Sequence, residues 1–267
     1  MKVISALLFI SVLFSFTGFS ADTENKDHHV KIEVKKNGST VALYAHLADC
    51  TEVTITLTMN LDNMTASPPV PLTVDSLGKQ EFLLTTIHPT AAKKEHKYNY
   101  QFHSKIGRRL QFAPFPFNYY LPYADQEFKV IKGDDGPHNE NAINWAMPAG
   151  TVVCAARDGV VVAIRQDSDS NGKNDKNKHE ANYVVIKHED NSLAEYSHLQ
   201  KNSLQVKLGQ KVKVNAPLGL SGNTGSPSGP HLHFAVYYNI DGKTSKTIPV
   251  QFVTKTGNLT LKTGNSY

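Results

Sequence analysis

Residues 53–59, Val-Thr-Ile-Thr-Leu-Thr-Met, alternate apolar and polar side chains without a break. A strand sends successive side chains to opposite faces, so Val53, Ile55, Leu57 and Met59 form one apolar face. The same alternation recurs in "HVKIEVKK" (29–36), "EFLLTTI" (81–87) and "KYNYQFH" (97–103), where Tyr98, Tyr100 and Phe102 line one face. No stretch holds a convincing period of 3.6. Short alternating runs divided by turn signals, along all 267 residues, predict an all-β chain.

The turn signals also divide it. Residues 21–111 carry strands in the number and spacing of an immunoglobulin-like β-sandwich. The Pro- and aromatic-rich "FAPFPFNYYLPYADQ" (112–126) reads as a linker. Residues 127–254 are denser in hairpins, with Asp158-Gly159 between two Val-rich runs and further turns at Glu189-Asp190-Asn191 and Gly209-Gln210. That pattern suits an antiparallel β-sheet core, followed by a tail over 255–267.

The first twenty residues look like a secretory signal peptide, 1–20. Lys2 is followed by an apolar run, and Gly18 and Ser20 supply small residues for cleavage after Ser20. The run is short for a membrane span, so the mature chain is expected without one, secreted or periplasmic. Without Lys2, 27 of the 28 basic residues remain against 24 acidic ones, too mild an excess to argue for nucleic acid. The two cysteines, Cys50 and Cys154, fall one in each expected domain. Two buried thiols are the preferred reading, with a disulfide as the alternative.

Chemistry-bearing residues gather in the second half. "SGNTGSPSGPHLHFAV" (221–236) is a Gly/Ser/Pro loop that ends in His231-Leu232-His233 at the start of a strand. Alternation puts both imidazoles on one face, roughly 6 to 7 Å apart by strand rise, and neutral imidazole is the commonest metal ligand. In "AEYSHL" (194–199) alternation likewise places Tyr196 and His198 on a shared face. "KGDDGPHNENAINWAMPAGT" (132–151) offers His138 and Asn144 ahead of a strand.

"GNTGSPSGPHLHF", "EYSHL" and "AINWAMPAGTVVCAARDGVV" together resemble the lysostaphin-type, LytM-like zinc metalloendopeptidases that cut peptide bridges in bacterial peptidoglycan. The resemblance covers roughly residues 120–240 and leaves the N-terminal sandwich outside it. It implies a LytM-like core with a groove, one zinc ion, and peptidoglycan stems or cross-links as substrate. By position it implies His138, Asn144 and His233 as zinc ligands, with His198 and His231 as an unliganded catalytic pair. Such a zinc keeps three protein ligands and an open position for water. The free histidines would then move protons and steady the developing oxyanion, with Tyr196 assisting or, the preferred reading, packed in the core.

Two positions depart from the pattern. Asn144 stands where the family has Asp and offers only a neutral carbonyl oxygen. His138 lies six residues before it rather than four, and Glu140 fills the four-residue position as an alternative ligand. Two readings therefore stand. One is a secreted endopeptidase, weakened by Asn144. The other is a degenerate domain that binds the wall or activates a partner hydrolase.

"DSDSNGKND" (167–175) matches the opening of a calcium loop through Asp167, Asp169 and Asn171. Its twelfth position is Lys178 and no helices flank it, so a solvated hairpin tip is preferred over calcium. His28, His29, His46, His88, His96, His103, His179 and His188 lack partner spacing and read as surface or satisfied side chains.

Overall fold

The computed structural model describes residues 29–91, 94–111, 117–132, 140–170, 180–225 and 229–267. Residues 1–20, expected as a signal peptide, and His28, His138, Asn171, Lys178 and His179 lie outside these residues. The described chain contains no helix and is built from short, mostly antiparallel strands.

The N-terminal part comprises β1 (Val30–Asn37), β2 (Thr40–Leu47), β3 (Val53–Asp62), β4 (Met64–Ser67), β5 (Leu72–Asp75), β6 (Glu81–Pro89) and β7 (Lys97–Ile106). They form two sheets, ordered β1-β2-β6-β4 and β5-β3-β7. The alternation read from the sequence decides which side faces in. Val53, Ile55 and Leu57 are fully buried and Met59 packs at their margin, while Tyr98, Tyr100 and Phe102 point inward from β7. β3 and β7 pair along their whole length, from Val53 opposite Ile106 to Asp62 opposite Lys97.

The second part begins with β8 (Asn118–Tyr120), β9 (Val130–Ile131), β10 (Ile143–Trp145), β11 (Val152–Cys154), β12 (Gly159–Arg165) and β13 (Tyr183–Lys187). It continues with β14 (Leu193–Ser197), β15 (Lys211–Val212), β16 (Pro217–Leu220), β17 (Leu232–Asn239) and β18 (Ser245–Thr247). The last strands are β19 (Gln251–Thr254) and β20 (Gly257–Leu259). Its main sheet runs β15-β12-β13-β14-β17-β10-β9, with β18 on the free end of β17. Two spans differ from their sequence reading. Within 112–126, Tyr119 and Tyr123 are core residues, because β8 pairs with β19 and buries the rings against Phe234, Trp145 and Phe128. Within 255–267, β20 pairs with β19 and the terminal residues hydrogen-bond to Phe128 and Val130, so this end closes the core.

Both faces of the main sheet are used. Leu232, Phe234 and Val236 of β17, with Ala194, Tyr196, Val184, Ile186 and Trp145, form the core below it. The opposite face carries Val162, Ala163, Val185 and Leu193, which belong to the core of the N-terminal sandwich. The junction is tied by backbone as well. The Thr51 N–H donates to Val162 O (2.9 Å), the Leu110 N–H to Asn239 O (2.9 Å), and Lys187 Nζ pairs with Glu52 Oε2 at 2.7 Å. Gly107, at φ +83, allows the close approach, since a Cβ there would sit 2.6 Å from Leu193. Cys50 and Cys154 are both buried and free, and burial raises both thiol pKa values, that of Cys50 to about 12.

Sharing one sheet between two cores predicts a single cooperative unfolding transition. Urea unfolding followed by fluorescence of Trp145, the only tryptophan, should coincide with that followed by far-ultraviolet circular dichroism. Two separated midpoints would count against the shared core. His188 adds a pH dependence. Burial lowers its pKa from the ordinary 6.5 to about 4, and its Nδ1–H donates to Asp158 O at 2.7 Å. Below pH 6.5 the unfolded chain takes up a proton that the folded chain refuses. Stability should therefore fall between pH 6.5 and 4, by on the order of 3 kcal/mol from this group. The urea midpoint of His188→Met should show a shallower slope across that window.

Candidate metal centre

Three neighbouring strands set the site. Asn144 on β10 lies directly opposite His233 on β17, and Ser197 on β14 lies directly opposite His233 on the other side. Residues directly opposite in a ladder share a face. This row therefore stands on the same face as the N-terminal sandwich, while Ile143, Trp145, Leu232 and Phe234 point down into the other core. Asn144 and His233 are nearly fully buried, and His233 Nδ1 lies 3.1 Å from Asn144 Oδ1.

His231 enters one residue before β17, through a bridge to Gly222. Its Nδ1 is 2.9 Å from Gly229 O. A carbonyl oxygen can only accept, so Nδ1 carries the proton and Nε2 is left with its lone pair. His198 obeys the same rule, with Nδ1 2.7 Å from Thr224 O. The His198 ring lies 4.5 Å from that of His231 and 6.0 Å from that of His233, centre to centre. Two imidazoles with defined tautomers thus stand beside the Asn144–His233 pair.

The shared face expected for Tyr196 and His198 is not observed. Tyr196 is fully buried in the lower core and its hydroxyl accepts the Ala156 N–H at 2.8 Å. His198 adopts φ 67°, a left-handed conformation that breaks the alternation of β14 and swings the imidazole up to the histidine cluster. Nothing in the sequence signals that turn. Sequence reading also missed Asn182 and Thr224. Asn182 is fully buried, donates from Nδ2 to Ser168 O (2.8 Å) and Leu199 O (3.3 Å), and accepts the Ser168 N–H at 2.9 Å. Thr224 Oγ1 accepts the Asn182 N–H at 2.9 Å and donates to Leu199 O at 2.8 Å. The Thr within "GNTG" and the Asn opening "NYVVIKH" were the available signals.

The remaining candidates are placed as follows. His138 lies outside the described residues, and Glu140 occupies an exposed turn. Asp167 pairs with Arg165 (3.2 Å) and Asp169 with Lys201 (2.9 Å), so both carboxylates of the calcium-like segment face cations of the chain. Among the described residues, the one group of three His, Asp or Glu donors within 4.8 Å is Glu33, His46 and Glu81 on the sandwich. There Lys35 Nζ lies 3.3 Å from Glu33 and 3.5 Å from Glu81, which supplies the cation those carboxylates need.

Residues 138–246 match the family model described as Peptidase family M23. Peptidoglycan DD-endopeptidase ShyA of Vibrio cholerae is 44% identical over 147 residues, covering 50% of this chain and 29% of that protein. An uncharacterized metalloprotease of Buchnera aphidicola is 36% identical over 143 residues, covering 51% and 34%. The chain thus spans about a third of the length of these curated relatives. Among solved structures, a zinc containing peptidase from Vibrio cholerae aligns over 82% of this chain and 84% of its own, at 18% identity and TM-score 0.38. The lysostaphin catalytic domain from Staphylococcus simulans aligns over 46% and 86%, at 22% identity and TM-score 0.34. The match to that family model is confined to residues 138–246, the part of the chain that carries Asn144, His198, His231 and His233.

Close packing behind His198 gives a test. A Cβ on Gly222 would lie 2.7 Å from Gln200 N and 2.9 Å from His198 O, both backbone atoms that cannot swing aside. Gly222→Ala should cost about 1–3 kcal/mol of stability, read as a lower urea midpoint. A midpoint equal to wild type would mean that this contact does not constrain the segment bearing His198.

Proposed function

We propose that the protein is a zinc-dependent endopeptidase, acting outside the cytoplasm, that hydrolyses peptide cross-links of bacterial peptidoglycan. The observation carrying the proposal is the placement of His233 Nδ1 and Asn144 Oδ1, 3.1 Å apart, beside the imidazoles of His198 and His231; a zinc ion would take the place of the proton that Nδ1 otherwise donates to Oδ1. Two ligands of one tetrahedral zinc, each about 2.0–2.1 Å from it, lie roughly 3.3 Å apart, so the pair fits a common ion. His138 completes the proposed set, and the export-type leader supports the location. A zinc ion held there would polarise the scissile carbonyl and lower the pKa of a bound water toward about 7.

The chain's own residues supply the remaining work. Thr224 O and Gly229 O keep the Nδ1 protons of His198 and His231, which leaves Nε2 as the basic nitrogen of each ring. One such nitrogen takes the proton of the attacking water. Once protonated, the same nitrogen becomes a donor, able to hold the oxyanion or to pass a proton to the departing amine. The burial of Asn144 and His233 keeps bulk water from weakening these interactions.

Asn144 favours a second reading, a weakly metallated domain that binds the wall and activates a partner hydrolase. Purified protein should contain about one zinc per chain and release soluble muropeptides from sacculi, with chelator abolishing release. His233→Ala should lose zinc and activity together, whereas His198→Ala and His231→Ala should keep zinc and lose roughly 100- to 10,000-fold in rate. Asn144→Asp should tighten zinc retention by roughly ten-fold or more, because an anion replaces a neutral oxygen. Zinc-free protein that nonetheless stimulates another hydrolase, with His231→Ala equally effective, would establish the second reading instead.

A further inference from the structure

Asn182 is fully buried immediately before β13, and its neighbours leave its amide only one orientation. Ser168 O and Leu199 O can only accept, so the two Nδ2 protons point at them, over 2.8 and 3.3 Å. The Ser168 N–H can only donate, so Oδ1 faces it, at 2.9 Å. The main chain of the same residue is engaged as well. Its N–H donates to Thr224 Oγ1 at 2.9 Å, and its carbonyl accepts the Leu199 N–H at 3.1 Å. Asn182 thus grips Leu199 twice, the N–H through its own carbonyl and the carbonyl through its side chain.

That grip bears on the residue before. The Leu199 N–H and the His198 carbonyl belong to one rigid peptide plane. Asn182 O holds one side of the plane, and Gly222 lies so close to the other that a Cβ there would be 2.9 Å from His198 O. A plane held on both sides cannot turn, and it follows a residue already at φ 67°. The ring itself ends on Thr224, whose carbonyl meets His198 Nδ1 at 2.7 Å. Thr224 is placed in turn by the Asn182 N–H and by Leu199 O, both through Oγ1. The far side of the amide closes the circuit. Ser168 Oγ accepts the Ser170 N–H at 3.2 Å, and Ser170 O accepts the Gly225 N–H at 2.8 Å, next to Thr224.

We propose that Asn182 is a positioning residue for catalysis, setting the orientation and tautomer of the His198 imidazole through Leu199 and Thr224 while itself buried away from substrate. The loss of rate this entails rests on the peptidase reading, whereas the effect on the ring does not.

Two variants break the arrangement from different ends. Asn182→Asp keeps the shape and the acceptor but turns a carboxylate oxygen, with no proton, toward two carbonyls. Thr224→Val removes the hydroxyl, which Thr224→Ser retains. On a soluble cross-linked muropeptide, Asn182→Asp and Thr224→Val should lose roughly ten- to hundred-fold in kcat, with KM and zinc content near wild type. Thr224→Ser should keep the wild-type rate. So should Ser76→Ala, which removes a buried hydrogen bond to the Val53 N–H in the sandwich. Placed in His198→Ala, Asn182→Asp should add no further loss, because the group it orients is gone. Nitrogen-15 spectra of the zinc-free full chain read the ring directly. The neutral His198 ring should carry its proton on Nδ1 in wild type and Thr224→Ser, and divide it between Nδ1 and Nε2 in Asn182→Asp and Thr224→Val. Should Asn182→Asp fail to fold, Thr224→Val against Thr224→Ser carries the same comparison. An unchanged tautomer in the disrupting variants, an unchanged kcat, or a loss that adds in full to that of His198→Ala overturns the proposal. A shifted tautomer in a protein whose wild type cleaves no muropeptide would leave the positioning role standing and overturn the peptidase reading.

Discussion

The two-faced main sheet is the constraint on which everything else in this protein depends. Strand geometry alternates side chains across it, so each strand must satisfy two environments at once. Phe234, Tyr196 and Trp145 fill the core beneath, with edge-on and tilted ring contacts at 5.1 and 6.2 Å, respectively, that fix β14, β17 and β10 relative to one another. The same strands present Ser197, His233 and Asn144 on the other side. A one-residue slip of β10 against β17 would bury Asn144 in the aromatic core and lift Trp145 out of it. Apolar packing therefore holds the register that brings the donor atoms together.

That upper face is divided between the polar row and the sandwich. Val185 and Leu193 leave the solvent by joining the core of β1–β7, and only the neighbouring rows remain for ligands. The N-terminal part is thus structural for the sheet and also a boundary of its open surface. Twisted sheets with one apolar face need a cover. Here the cover is supplied by the N-terminal part of the same chain, through Val162, Ala163, Val185 and Leu193.

Much of this was legible where alternation rules. β3 and β7 bury the residues their period of two selects, and His231 and His233, two residues apart, both stand beside His198. The family-like motifs contain Asn144, His198, His231 and His233, the residues of the cluster. Alternation failed at three places for identifiable reasons. Tyr119 and Tyr123 lie in a Pro-rich segment whose composition reads as linker, yet β19 offers a parallel partner that only the tertiary fold creates. The bulge in β12 places both Val161 and Ala163 at buried positions on different cores, which no simple period encodes. His198 departs through a single backbone torsion.

The departure at His198 shows how the site is held. A left-handed torsion on a residue with a Cβ costs roughly 1–2 kcal/mol, so it persists only if its surroundings select it. The Asn182 side chain makes three hydrogen bonds and Thr224 Oγ1 two more, all buried, and Leu199, next to His198, is an acceptor for both. At about 0.5–1.5 kcal/mol net for each bond, this network outweighs the strained torsion. It also ties together segments around residues 168, 182, 199 and 224, which are far apart in sequence. Because Thr224 gives its carbonyl to His198 Nδ1, the network that fixes the backbone also fixes the tautomer. Position and tautomer of this imidazole are therefore set by one buried arrangement, and loosening any of its members disturbs both at once.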